Sequence, residues 1–177
     1  AELGSVASNY SLTFYEPWLF DHPVSFSARI YNTEREFVNY NRKATGFSVG
    51  LGKEIAEYWR VNLTYSLEEA EIDEIGTDVS RIILDQAGEK LTSSITLGIT
   101  RDSRDNHLDP HTGNRSVATI TYAGLGGDNY FLKYRLDSQL FLPVSEKTTL
   151  LFRGRYGHAE GLKEREVPLY ERFYVGG

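Results

Sequence analysis

The chain has 177 residues, no cysteine and a net charge of −6 from 19 basic and 25 acidic side chains. That length suits one domain with its own core, and the lack of cysteine excludes disulfides, thiolate catalysis and cysteine metal sites. The basic residues are dispersed singly along the chain, so the clustered charge that nucleic-acid partners require is missing and no nucleic acid is expected.

No run of about 18 apolar residues occurs, which excludes a membrane-spanning helix. A transmembrane β-barrel is not excluded, because its strands are only about ten residues of alternating polarity.

Apolar and polar residues alternate in eight segments, which predicts eight strands. The predicted strands cover residues 8–16, 23–33, 43–53, 57–69, 91–102, 114–123, 129–142 and 147–158.

The seventh segment shows the alternation best. Leu132, Leu136 and Leu140 share one parity, while Lys133 and Arg135 lie on the other. Successive side chains of a strand point to opposite faces, so this strand has one apolar and one charged face.

The connections differ in length. Those after the second, fourth and eighth predicted strands are long and those after the third and seventh are short, as in a barrel with two unlike ends. The connections after the fifth and sixth strands break this rule. Residues 78–86 within the fourth connection are predicted to form a helical turn.

The residues of the polar parity favour a membrane barrel. They are mostly Gly, Ser, Thr and Asn with isolated charges, which suits a hydrated lumen better than the charge-rich outside of a soluble barrel. A plain antiparallel sandwich and a soluble lipid-binding barrel remain alternatives, since alternation alone does not say which face is inside.

The first of three motifs, at residues 16–21, reads Glu-Pro-Trp-Leu-Phe-Asp and closes the first strand. Pro17 cannot donate to a sheet ladder and therefore ends the pairing. Trp18 and Phe20 are expected at a membrane interface, with Asp21 after them. The alternative interpretation is an ordinary turn.

The second motif reads Asp-Ser-Arg-Asp-Asn from residue 102 and continues to a proline and a glycine. Its carboxylates do not fit a calcium loop, because the turn glycine and the twelfth-position glutamate are missing. We expect mutual pairing of its arginines and aspartates, including Arg101, and we expect His107 and His111 to be solvated turn residues. The motif positions are Asp102, Arg104, Asp105, Asn106, Pro110 and Gly113.

The third motif, at residues 168–177, reads Pro-Leu-Tyr-Glu-Arg-Phe-Tyr-Val-Gly-Gly. Its motif positions are Pro168, Glu171, Phe173, Gly176 and Gly177.

Together, the three motifs resemble those in the barrel of the BamA family of outer-membrane assembly factors. The resemblance implies an all-β, antiparallel, up-and-down transmembrane β-barrel, with these eight strands matching the fourth to eleventh of sixteen. It also implies that residues 1–177 are a partial barrel domain without the periplasmic domains and without the first three and last five strands. In the family, the third motif opens a loop that folds back into the lumen.

The resemblance further implies an integral protein of the bacterial outer membrane that folds and inserts β-barrel proteins without covalent chemistry or a cofactor. Its partners would be outer-membrane lipid, unfolded β-barrel clients and accessory assembly lipoproteins.

Charged residues of the polar parity in the last two strands are predicted to form a lumenal network, paired across adjacent strands. These residues are Lys133, Arg135, Asp137, Arg153 and Arg155.

Two other functions stay open. A small closed barrel or pore would pair its first and eighth strands, and a soluble lipid-binding barrel would turn its leucines inward. An enzyme is the least supported class, because no nucleophile triad, phosphate loop or histidine cluster stands out.

Overall fold

The structure, a computed structural model, describes residues 7–36, 40–73 and 86–173. Eight strands form one antiparallel sheet whose order in space follows the order in sequence. The strands are β1 Ala7–Glu16, β2 Ser25–Glu36, β3 Asn41–Ala56, β4 Trp59–Asp73, β5 Gly88–Asp102, β6 Gly113–Gly127, β7 Phe131–Ser145 and β8 Thr148–Gly161. Two short 3-10 turns lie at Leu19–Asp21 and Leu169–Glu171.

All eight predicted strands are confirmed, since a two-residue alternation reports directly on the backbone. The long connection predicted after the second strand is wrong. β2 and β3 extend further than predicted and leave only residues 37–40 between them. The helical turn predicted over residues 78–86 lies outside the described residues except for Gln86.

The sheet is open in the part of the chain that the structure describes. Each strand pairs with its neighbours in sequence, and no pairing joins β1 to β8. A closed eight-stranded barrel is therefore not formed by these strands. We call the end where residues 146–147 join β7 to β8 the turn end, and the end where β8 stops at Gly161 the loop end.

The two faces of the sheet differ in exposure. On the apolar face, Leu136 is 43% exposed and Phe152 is 57% exposed, which is the arrangement of an outer wall and not of an interior filled by these side chains. The opposite, polar face carries the charged and hydroxyl side chains. Near the loop end it also holds a small apolar cluster of Ala123, Phe131 and Val167.

Candidate functional site

The candidate site is the polar face together with residues 162–173, which fold back over it and are called the return segment. Beyond β8 the chain reverses sharply, with positive φ angles of 54° at Lys163 and 61° at Glu164. The Leu162 amide donates to the Tyr130 carbonyl at 2.9 Å, and the Lys163 ammonium lies 4.2 Å from the Tyr130 ring centroid. The reversal turns the third motif onto the sheet.

The return segment contacts the polar face through three side chains of different character. Tyr170 lies under the Arg42 guanidinium, 4.4 Å from its ring centroid to the guanidinium carbon. Glu171 accepts from the Lys133 ammonium at 2.8 Å. The Phe173 ring lies 4.9 Å from that ammonium. The cationic side chains of Arg42 and Lys133 therefore contact one carboxylate and two aromatic rings of the return segment.

Behind Tyr170, a polar network crosses three strands. The Tyr31 hydroxyl of β2 donates to Glu68 Oε2 of β4 at 2.7 Å, and Glu68 Oε1 accepts from Arg42 Nη2 of β3 at 2.7 Å. Tyr31 and Glu68 belong to strands that are not neighbours. Their contact passes over Gly46, the β3 residue in register with both. A glycine is needed there because an added Cβ would lie 2.6 Å from the Tyr31 hydroxyl.

The Tyr170 hydroxyl extends the network toward β5 and the connection between β6 and β7. It accepts from Asn129 Nδ2 at 3.2 Å, and the same amide group donates to Thr92 Oγ1 at 2.7 Å. Burial raises the pKa of Tyr170, so this residue stays a neutral phenol.

The polar face is concave. One cavity of about 280 Å³ is lined by Tyr31 of β2, by Lys133 and Arg135 of β7, and by Glu171 of the return segment. In a flat sheet β2 and β7 would lie about 24 Å apart, five spacings of about 4.8 Å each. Side chains from both strands reach the same small cavity because the wall curves around it.

The charged residues predicted to form a network lie on this face, but with different partners. Asp137 accepts from Arg153 at 2.6 and 3.2 Å and lies 3.4 Å from Arg155. These contacts join the adjacent strands β7 and β8. Lys133 instead reaches Glu171 of the return segment, and Arg135 lines the cavity beside it.

The second motif forms a tight connection between β5 and β6. Arg104 donates to both oxygens of Asp102 at 2.8 Å. Asp105 accepts the backbone amides of His111 at 3.0 Å and Thr112 at 3.1 Å. These amide bonds lower the pKa of Asp105. The expected pairing of arginines with aspartates therefore holds for Arg104 but not for Asp105.

Three further residues shape this connection. Arg101 does not join the arginine–aspartate pairs that the sequence predicts; it donates to Ser103 and Asn114. Asn106 accepts the Leu108 and Asp109 amides through its side-chain oxygen. Gly113 has a φ of 97°, and a Cβ there would lie 2.1 Å from the Ser103 carbonyl oxygen. Pro110 lies half-buried in the same connection.

The first motif forms the turn between β1 and β2. Pro17 follows the end of β1, and Phe20 and Asp21 both have positive φ angles, 52° and 62°. Phe20 is 85% exposed. Trp18 lines a cavity of about 290 Å³ that also contains Arg60 of the polar face.

Among the third-motif positions, Pro168 precedes the 3-10 turn, and its carbonyl oxygen accepts from the Glu171 amide at 2.9 Å. Gly176 and Gly177 lie outside the described residues.

Sequence reasoning missed Tyr31, Gly46 and Glu68, which belong to predicted strands, and Arg42, which directly precedes the third predicted strand. The available signal was the run of small residues on the polar parity of β3, where Gly46, Gly50 and Gly52 alternate with apolar residues. Such a run predicts that flanking side chains can cross the strand. It does not name them, because the strand register was unknown.

Within residues 7–36, 40–73 and 86–173, no helix is long and apolar enough to cross a membrane. In the same ranges, no three His, Cys, Asp or Glu side chains are grouped to hold a metal ion.

Comparison with known proteins places the chain in one family. The model of the Omp85 superfamily domain matches residues 1–177. The outer membrane protein assembly factor BamA of Nitratidesulfovibrio vulgaris is 27% identical over 172 residues, which are 96% of this chain and 22% of that protein. The sorting and assembly machinery component 50 homolog A of Xenopus laevis is 26% identical over 182 residues, 98% of this chain and 38% of that protein.

A solved structure shows the same fold. BamA from Haemophilus ducreyi, crystallised without POTRA domains 1–3, superposes with a TM-score of 0.87 at 16% identity. The match covers 97% of this chain and 36% of that one. The chain thus spans well under half the length of these relatives. It belongs to the Omp85 superfamily, and it is part of a β-barrel wall that is integral to an outer membrane.

Proposed function

We propose that this chain forms part of the barrel wall of an assembly factor that folds β-barrel proteins and inserts them into the bacterial outer membrane. The observation that carries the proposal is the pairing of an exposed apolar face with a polar face that the return segment covers. This is the arrangement that the three motifs imply by their resemblance to the BamA family. The names of the relatives at 27% and 26% identity support the same activity.

The activity rests on backbone hydrogen bonding and not on covalent chemistry. A strand that enters lipid leaves its amides and carbonyls unpaired, and each unpaired group costs several kcal/mol. An assembly factor lowers this cost by offering a strand edge for temporary pairing. We propose that the eight strands correspond to the fourth to eleventh of a sixteen-stranded barrel, so that they support such an edge without supplying it.

The partners of the whole protein would be outer-membrane lipid, unfolded β-barrel clients and accessory lipoproteins. Lipid would contact the apolar face. In this proposal the ion pairs of Asp137 with Arg153 and Arg155 are a lumenal network that joins the last two strands. The Lys133 pair with Glu171 holds the return segment against the wall.

Reconstitution of the full-length protein tests the proposal. The protein is inserted into liposomes, a urea-unfolded outer-membrane barrel is added, and the folded client is followed by its heat-modifiable electrophoretic mobility. We expect faster client folding than in liposomes that carry an unrelated eight-stranded barrel at equal protein density. Equal rates in the two preparations would contradict the proposed function.

A further inference from the structure

The contacts of the return segment reach strands that are far apart in the sheet. Tyr170 contacts Arg42 on β3, Glu171 contacts Lys133 on β7, and Phe173 lies over Gly157 on β8. Phe173 is only three positions after Tyr170, and a chain advancing three positions spans at most about 11 Å. β3 and β8 are five strand spacings apart, about 24 Å along a flat sheet.

The segment is thus shorter than the stretch of wall that it bridges. The Arg42 side chain and the Tyr170 ring extend toward each other from one side, and Phe173 contacts the β8 backbone directly on the other. Both contacts can form together only while the wall stays curved. Flattening the wall would separate Arg42 from Tyr170 or Phe173 from Gly157.

We propose that the return segment is a releasable strap, which holds β3 at a fixed separation from β7 and β8 across the concave face. The inference rests on the fold and its contacts, and it does not depend on the proposed function in client assembly.

The chemistry of the contacts makes the strap releasable. The side chains of Lys133 and Glu171 remain 23% and 29% exposed, and Arg42 keeps Glu68 as a partner whether or not Tyr170 is present. Water can therefore replace the strap contacts without leaving a buried charge unpaired. Val167, by contrast, belongs to the buried apolar cluster and anchors the start of the strap.

Glycine positions on the wall fit this role. A Cβ on Gly157 would lie 2.7 Å from the Phe173 ring, so the wall is recessed where the strap contacts it. Gly46 allows Tyr31 to reach Glu68, which in turn orients Arg42 toward Tyr170. Arg42 is therefore a positioning residue for the strap, and Tyr31 and Glu68 act through it.

Distance measurements on the full-length protein in nanodiscs test the strap. Spin labels are attached to cysteines at Val49 on β3 and Tyr156 on β8, which are exposed on the apolar face and away from the strap. The triple variant Y170A/E171Q/F173A removes the three contacts. We expect double electron–electron resonance to give a longer mean distance and a broader distribution than in the parent.

Two controls separate release of the strap from general damage. E166Q breaks the ion pair with Arg172 inside the return segment and should leave the distance unchanged. Labels at Leu142 and Leu150, which are paired on β7 and β8, report whether the sheet is intact. If the triple variant does not fold, E171Q alone is measured, with a smaller shift expected.

The strap would be overturned if the triple variant kept an intact sheet and the parent distance distribution. If E171Q is measured in place of the triple variant, the same result in E171Q would overturn it. Client assembly in liposomes is a separate readout, so failure of the strap and failure of the proposed function can be told apart.

Discussion

The ring of Phe173 occupies the space that a side chain at position 157 would fill. A Cβ built on Gly157 would lie 2.7 Å from ring atoms Cδ1, Cε1 and Cζ, closer than carbon atoms can approach. Gly157 has an ordinary strand conformation, so its lack of a side chain is required by this contact and not by its backbone angles.

Substituting Gly157 with valine should displace Phe173 from the wall. Hydrogen exchange of the residue 167–173 amides should then become faster, because the 3-10 turn at Leu169–Glu171 loses one of its supports. The matched control is G154V on the same strand, where an added Cβ meets no atom within 4 Å. Equal exchange in the two variants would contradict the contact.

Gly46 is expected to be intolerant of even one added methyl group. Alanine at this position would approach the Tyr31 hydroxyl and the Leu67 carbonyl oxygen, at 2.6 and 2.8 Å, and would push Tyr31 away from Glu68. Overpacking of this kind costs about 1–3 kcal/mol. The free energy of unfolding, measured by urea titration in detergent, should fall by that amount.

The control for Gly46 is G98A on the polar face of β5, where the nearest atom lies at an ordinary 3.7 Å. Y31F isolates the hydrogen bond from the steric effect and should cost about 1 kcal/mol. If G98A lost as much unfolding free energy as G46A, the loss would come from replacing any glycine in a strand. It would then not come from the contact of Tyr31 with Glu68 over Gly46.

The strands were predictable because their signal is local. A two-residue alternation appears in any window of a few residues, and the unequal polarity of the two parities shows from sequence which residues share the apolar face. The ends of β2 and β3 were less predictable. Near Arg35 and Arg42, successive residues are polar, so the sequence shows no alternation there. The ends of these strands are therefore decided by pairing with the neighbouring strand.

The polar face was predictable in kind but not in detail. Asp137 with Arg153 and Arg155 follows from charge on adjacent strands. Lys133 with Glu171 does not, because the two residues are 38 positions apart and meet only when the return segment folds over the sheet. The Tyr31 contact with Glu68 depends on strand register, which no single strand encodes.

The two arginines that share Asp137 should contribute unequally to stability. Arg153 forms two hydrogen bonds with the carboxylate, at 2.6 and 3.2 Å, whereas Arg155 is 3.4 Å away and more exposed. Exposed pairs are worth about 0.2–1 kcal/mol. We expect R153Q to lie near the upper end and R155Q near the lower end of that range, measured as loss of unfolding free energy. A double-mutant cycle with D137N checks that both losses arise from this carboxylate, and equal losses would contradict the geometry.

The connection between β5 and β6 should become less stable in acid. The amides of His111 and Thr112 favour the ionised form of Asp105, which lowers the pKa of Asp105 in the folded connection. A lowered folded pKa gives stability that is present above the unfolded pKa and is lost as the pH falls through the folded pKa. The exchange rate of the Thr112 amide, corrected for intrinsic exchange, should therefore rise on acidification. D105N should remove this dependence, and a dependence that survives in D105N would assign the effect to another group.

The assignment of faces predicts opposite outcomes for arginine at two neighbouring positions on opposite sides of the wall. Leu136 lies midway along β7 on the apolar face, and its cross-strand partner is Ala118. Val117, one residue earlier on β6, faces the polar side and pairs in register with Asp137.

In a membrane the apolar face meets lipid, so L136R should cost about 2–4 kcal/mol and V144R, near the turn end of β7, only about 0–1 kcal/mol. V117R should be tolerated because its guanidinium can reach the Asp137 carboxylate in a hydrated interior. Refolding into lipid vesicles, followed by urea titration, measures all three variants. If V117R were the most damaging and L136R the least, the two faces would have to be exchanged, because that order requires Leu136 to face water and Val117 to face lipid.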